Sequence, residues 1–286
     1  MTDLQLVACD TLAPSDLHAA MRAAFADYLI GPFEAPLDQW PGFLGRQAID
    51  LATSRAAVRD GAVLAFAFVA RRGQGRRWRL ATMGAVPEAR GSGAAPALLD
   101  DFIARAAAAG QVAVELECFA RNECALRLYK SRRFKVRHDL VGWTLAESSP
   151  AVLAPAGGAP VREVDRAIAF AWLDGAERRL GDLPLQITTA VLAVNPRPLR
   201  FFQRGAALLV WSDTGEGPIQ VHSLVDGGLA QTDAQALVAA MRVTRPEAAV
   251  VVPAIQREDL SGNALSRLGF ERQVLQQVLM VRAFER

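Results

Sequence analysis

Val86-Pro87-Glu88-Ala89-Arg90-Gly91-Ser92-Gly93-Ala94-Ala95 carries an apolar run that begins at Trp78 through a glycine loop into a long striped segment. The stripe Leu98, Leu99, Phe102, Ile103 and Ala106 has a helical period and ends at Gly110. The decapeptide therefore reads as a strand end, a tight loop and a helix N-terminus. Backbone N–H groups at such a terminus point outward unsatisfied, and the helix dipole adds positive potential, so the loop is shaped as an anion cradle. Glycines let a phosphate approach the backbone, and Arg90 can add a guanidinium to the same anion. Pro96 falls in the first helical turn, where a missing N–H costs least. A tight strand-to-helix turn with no ligand would explain a bare glycine loop equally well, so neighbouring segments must decide.

Upstream, Ser15 precedes a helical pattern at Leu17, Met21, Phe25 and Tyr28, and Asp60-Gly61 separates two strand-like runs as a hairpin turn would. Downstream, Val112 to Cys118 alternates like a strand, a helix follows from about Asn122 to Ser131, and Phe134 to Leu145 reads as a strand. Ser148 to Pro160, with prolines, Gly157-Gly158 and no charge, is the expected linker. Beyond it a helix near Asp165 to Arg179 leads to strands at Pro198 to Phe202, Ala206 to Trp211 and Ile219 to Val225. Thr232 to Met241, Ala248 to Ile255, Glu258 to Leu268 and Gln273 to Val281 then read as helix, strand, helix, strand. Both halves carry hairpin, strand, helix, strand, helix, strand in the same order. The expectation is an α+β chain of two tandem domains, 1–147 and 161–286, each a mixed, mainly antiparallel sheet flanked by helices.

Composition fits that division. At 286 residues the chain suits two domains of about 140 residues each. Its 51% apolar and 22% charged residues are those of a globular protein, and a net charge of +2 without a basic run argues against a nucleic-acid partner. Cys9, Cys118 and Cys124 are odd in number and in no zinc-ligand spacing, so no metal is expected. With neither a signal peptide nor a membrane-length apolar run, the expected setting is the reducing cytoplasm. Arginine outnumbers lysine heavily, Lys130 and Lys135 being the only lysines, and no mechanism is drawn from that bias.

Arg90, Gly93 and Ala95 match the Arg/Gln-x-x-Gly-x-Gly/Ala signature of the GNAT superfamily of acyl-CoA N-acyltransferases, and Val86-Pro87-Glu88 resembles its lead-in. Asn122-x-x-Ala125-x-x-Leu128-Tyr129 followed by Phe134 resembles its second motif, at a separation that suits one helix and one strand. The resemblance covers about residues 1 to 145. It departs at Arg133, where the family usually has glycine before the phenylalanine. It implies acetyl-CoA as co-substrate, with the amides of Arg90, Gly91, Ser92, Gly93, Ala94 and Ala95 on the pyrophosphate. It also implies Ala85 and Val86 pairing with the pantetheine arm, Asn122 near that arm, and Tyr129 protonating the departing thiolate. A core tyrosine with a satisfied hydroxyl is the alternative for Tyr129.

Transfer requires an uncharged amine, and Glu115 and Glu117, on one face of their strand, are candidates for base or amine anchor, Glu117 ahead. The alternative for both is a cross-strand or solvated carboxylate. His18 and His138 read as surface or wall, Asp27 and Tyr28 as capping or packing groups or acceptor contacts, and Cys118 and Cys124 as buried thiols. Aligning Gly269-Phe270 with Arg133-Phe134 puts Leu265 at the place of Tyr129 and Glu258 at that of Asn122. The second glycine loop, Asp226-Gly227-Gly228-Leu229-Ala230-Gln231, is acidic and lacks the arginine, with Thr232 and Gln235 expected to form a capping box. The second half thus resembles a degenerate GNAT-like domain. Its Trp172, Phe201, Phe202 and Trp211 would pack or wall an acceptor pocket, with packing the default. The function expected is acetyl transfer to a small-molecule or peptide amine entering between the halves, with a homodimer possible. The competing readings are a non-catalytic CoA-binding or scaffolding protein, and a tandem acyltransferase of specialised thiol or antibiotic metabolism.

Overall fold

The computed structural model describes residues 4–72, 75–149 and 157–285, so most of the expected linker lies outside the described residues. In chain order the elements of the first half are β1 (Gln5–Ala8), α1 (Pro14–Ala24), α2 (Trp40–Arg46), β2 (Arg55–Arg59), β3 (Ala62–Arg71), β4 (Arg77–Ala85), α3 (Ala94–Ala108), β5 (Ala113–Phe119), α4 (Glu123–Ser131) and β6 (Lys135–Leu145). The second half follows with β7 (Arg162–Glu163), α5 (Arg166–Leu180), α6 (Thr189–Leu192), β8 (Arg200–Arg204), β9 (Ala207–Ser212), β10 (Ile219–Asp226), α7 (Thr232–Thr244), β11 (Val250–Arg257), α8 (Glu258–Arg267) and β12 (Glu271–Ala283). The repeated order read from the apolar pattern is present: β2 to β6 with α3 and α4, then β8 to β12 with α7 and α8. Asp60 and Gly61 both have positive φ, the conformation that a two-residue hairpin turn demands.

Two compact units make up the chain, and they do not follow the halves of the sequence. The first is 1–117, 122–135 and 280–286, and the second is 118–121 and 136–279. The strand expected to close the first domain, β6, is therefore counted almost entirely with the second unit. There it pairs antiparallel with β11, from Val250↔Leu145 to Arg257↔Leu140.

The first unit has strand order β1-β2-β3-β4-β5, antiparallel except for the parallel β4/β5 pair that α3 connects. Leu98, Leu99 and Phe102 of α3 are fully buried, as the 3.6-residue stripe requires, and α1 buries Leu17 and Met21 in a core that includes Trp40, Phe66 and Phe68. The second unit has strand order β12-β6-β11-β10-β9-β8-β7, again with one parallel pair, β10/β11, joined across α7. Trp211, Phe202 and Phe201 are buried in its cores and Trp172 packs against them, so these four rings are packing groups.

Arg133 adopts φ +65, and its counterpart Gly269 has φ +79. In both repeats the following phenylalanine donates its N–H back across the turn, Phe134 to Tyr129 O and Phe270 to Leu265 O, each at 3.1 Å. These are the long bonds of a Schellman helix end, whose left-handed residue is normally glycine. A side chain there costs roughly 1–2 kcal/mol, so the departure at Arg133 is strain in a turn that keeps its shape. The matched bonds also equate Leu265 with Tyr129 in space.

Candidate active site

The parallel ladder between β4 and β5 runs from Arg77↔Ala113 to Leu80↔Leu116 and stops there. β4 continues to Ala85, still paired on its other edge with β3 through Ala65↔Ala85. Ala81 to Ala85 are half-buried. One edge of this stretch thus offers its peptide groups to an extended, amide-bearing ligand, as a sheet edge offers them to an added strand.

The strand leads through a 3-10 turn at Pro87–Ala89 into the glycine loop. Ser92 Oγ donates to Ala89 O at 2.6 Å and accepts from Ala94 N at 3.4 Å, and Gly93, at φ +87, is the N-cap of α3 and makes no side-chain cap bond of its own. Nothing lies within 4 Å of where a Cβ would stand on Gly91 or Gly93, so a ligand can reach the backbone. The first turn of α3 contains no acidic residue. Among the described helices of eight residues or more, α3 alone has neither a side-chain bond from its N-cap nor an acid at its start. Its outward amides and dipole fit a pyrophosphate, and the open edge of β4 leads into them.

Arg90 does not point into this cradle. Its guanidinium grips Asp27, just past α1, with two bonds of 2.7 Å, and donates to Ala24 O at 3.3 Å. The Arg90 bond holds the Asp27 carboxyl below the usual carboxylate range. Asn122 is the N-cap of α4, its Oδ1 accepting from Ala125 N at 3.1 Å. Tyr129 lies on the same helix, 7% exposed, its ring 6.0 Å from Phe134. The helix is tied to α3 by Arg132, which donates to both oxygens of Asp100 at 3.0 and 3.1 Å.

Glu117 sits where β4 and β5 part, but its side chain is buried against Arg79 at 2.5 Å. Burial pushes its carboxyl up, against the opposing pull of Arg79. Glu115, on the same face, is fully buried between Arg72 at 2.5 Å and Arg77 at 3.4 Å. Both carboxylates are placed as cross-strand ion pairs, the alternative that the sequence leaves open for them. The arginines that hold them carry no motif.

The second half fills the equivalent cradle from within. Asp226, at the end of β10 and 2% exposed, accepts from Gly228 N at 2.8 Å and from Ala234 N in the first turn of α7 at 3.0 Å. Its carboxylate takes the place an anionic ligand would have. The capping box expected from Thr232 and Gln235 does not form. The N-cap is Gln231, at φ +50, and Gln235 Nε2 donates instead to Ala230 O at 3.1 Å, because Asp226 already serves the helix start.

Several of the remaining titratable and nucleophilic groups are buried, among them His18, Cys9 and Cys118. His18 is buried between Phe33 and Trp40 and donates through Nε2 to Ala35 O at 2.7 Å, rather than facing solvent. His138 lines a polar cavity of about 780 Å³ in the second unit, 3.8 Å from both Asp182 and Asp259. His222, which no sequence motif marks, stands 2.8 Å from Ser212, and burial lowers its pKa to about 4; Ser212 is 1% exposed, so its hydroxyl is closed to a substrate. Burial raises Cys9 to about 12 and Cys118 to about 11. Cys124, expected to be buried, is exposed on the first turn of α4. Among the described residues no three His, Cys, Asp or Glu are grouped to hold a metal, and no helix is long and apolar enough to cross a membrane.

Residues 17–134 match the acetyltransferase (GNAT) family. That matched segment contains the glycine loop, the start of α3 and the point where β4 and β5 part. Nearly the whole chain is similar to three solved GCN5-related N-acetyltransferases. These come from Kribbella flavida (19% identity, 99% of this chain and 71% of that one, TM-score 0.65), Sphaerobacter thermophilus (16%, 98% and 95%, 0.65) and Anabaena variabilis (14%, 98% and 73%, 0.67). At such identities the likeness is one of fold, and it extends over both halves. No protein of curated function matches the sequence.

Proposed function

We propose that the chain transfers an acetyl group from acetyl-CoA to a primary amine by direct attack, using the first-half site alone. The single observation that carries this reading is the free edge of β4, which runs from the end of the β4/β5 ladder into the N-terminus of α3. Bound acetyl-CoA supplies an activated acyl thioester. The amides of Gly91 to Ala95 hold its pyrophosphate, and the backbone of Ala85 and Val86 orients its amide-bearing arm. Asn122 supports that arm by fixing the start of α4. Tyr129 lies on the same helix and delivers its hydroxyl proton to the leaving sulfur.

The ammonium must lose a proton before it can attack. Glu117 is the leading base by sequence, but as base it would have to give up its buried ion pair with Arg79, and breaking a buried pair costs several kcal/mol, about 3–5. We therefore assign Glu117 to the electrostatics of β5 and the proton to water. Closing the site around the thioester limits hydrolysis and holds the amine near the carbonyl. The test is release of free CoA thiol by the full chain across a panel of primary amines. Release that depends on amine and protein together supports transfer. Binding of acetyl-CoA without release for any amine leaves the non-catalytic reading in its place.

A further inference from the structure

We infer that Arg90 is not a phosphate ligand but a brace, and that Asp27 is a positioning residue for the cofactor loop. The inference rests on the proposed acetyl-CoA site. Three observations carry it. A Cβ on Gly84 would lie 3.0 Å from Ala24 Cβ, Phe25 Cε2 and Phe66 Cζ, so the end of α1 stands directly on β4 within the stretch whose other edge is open. Arg90 has an extended backbone, and its side chain reaches that same end of α1. The planar fork is spent on the two oxygens of Asp27, a pairing that fixes orientation as well as charge. Its third bond goes to Ala24 O, one of the orphan carbonyls at the C-terminus of α1, where a cation is favoured.

The pair therefore joins two segments 63 residues apart in sequence. One is the glycine loop. The other is the turn after α1, closed by Gly31 N donating to Tyr28 O at 3.0 Å, which carries the exposed apolar residues Leu29 and Ile30. With Arg90 engaged, the pyrophosphate is left to backbone amides. Holding the loop in its binding shape and holding the 25–31 turn are then one event, and acetyl-CoA binding must steady that turn as much as the turn steadies binding.

Hydrogen exchange on the ligand-free full chain tests this. Asp27→Asn is expected to raise exchange in 90–95 as well as 25–31 by about two- to fivefold, the range of an exposed but bidentate pair, and Arg90→Gln to do the same. The double variant should go no further than the larger single effect. In calorimetry each single change should weaken acetyl-CoA binding by about threefold, again without addition in the double variant, and should raise KM rather than lower kcat. Arg90→Lys, which keeps the charge and loses the fork, should behave as Arg90→Gln. Unchanged exchange in 90–95 for Asp27→Asn would overturn the brace. So would tighter acetyl-CoA binding in that variant, since Asp27 would then be competing with phosphate for Arg90. A wild type that binds no acetyl-CoA sinks the proposed function instead, and exchange alone still decides the brace.

Discussion

Tyr129→Phe is expected to lower kcat by about two orders of magnitude, the worth of a positioned general acid, while the dissociation constant for acetyl-CoA stays within about twofold. The division follows from how the ring is packed. The ring is packed beside Phe134 on a helix that Arg132 and Asp100 hold to α3, so phenylalanine keeps the packing and removes one O–H. Steady-state rates with a responsive amine, set beside calorimetric affinities, check it. A kcat near that of the wild type would return Tyr129 to the role of a core tyrosine, and equal losses of kcat and affinity would show that it supports binding rather than proton delivery.

Asp226→Ala is expected to destabilise the protein by about 2 kcal/mol, because a buried N–H of α7 and a part-buried one of the glycine loop lose their acceptor at once. For a unit of this size that is a fall of roughly 5–10 °C in Tm. The carboxylate is 2% exposed and its bonds to Gly228 N and Ala234 N are 2.8 and 3.0 Å, so water cannot replace it without rearrangement of the loop. Thermal unfolding measures the loss, and an unchanged Tm would mean that the internal anion contributes nothing net. In the second half the amides of Gly228 and Ala234 are thus already engaged by a carboxylate of the chain itself.

Asp226 also shows where local pattern stops being informative. In the sequence it is a charge that would repel a ligand; in the fold it is the group that replaces one, and only the closure of loop on helix distinguishes the two. The order of elements is legible because apolar period and turn chemistry are local. Asp60-Gly61 makes its hairpin and Gly110 ends α3. The allotment of β6 to the second unit is not legible, since periodicity places a strand in a sheet without naming its partners. The glycine loop is contiguous in the chain, so its residues alone mark it as a candidate site. The partners of its neighbours are hidden from such a reading, because Asp27 lies 63 residues from Arg90 and Arg79 lies 38 from Glu117. Short or weakly patterned pieces, β1 with four residues and α2 with Pro41 and Gly42 inside it, leave no periodic trace.

The central claim is that the chain binds one acetyl-CoA, on the loop that opens α3. Calorimetric titration of the wild type beside Gly93→Glu tests it most directly. Space is open around the Gly93 Cβ position, so the glutamate fits sterically, and its positive φ costs about 1 kcal/mol, a loss that Tm of the variant will register. The expected result is one equivalent bound by the wild type and none by a folded variant, whose carboxylate stands where the pyrophosphate would. Two equivalents in the wild type, or one in both proteins, would contradict the claim.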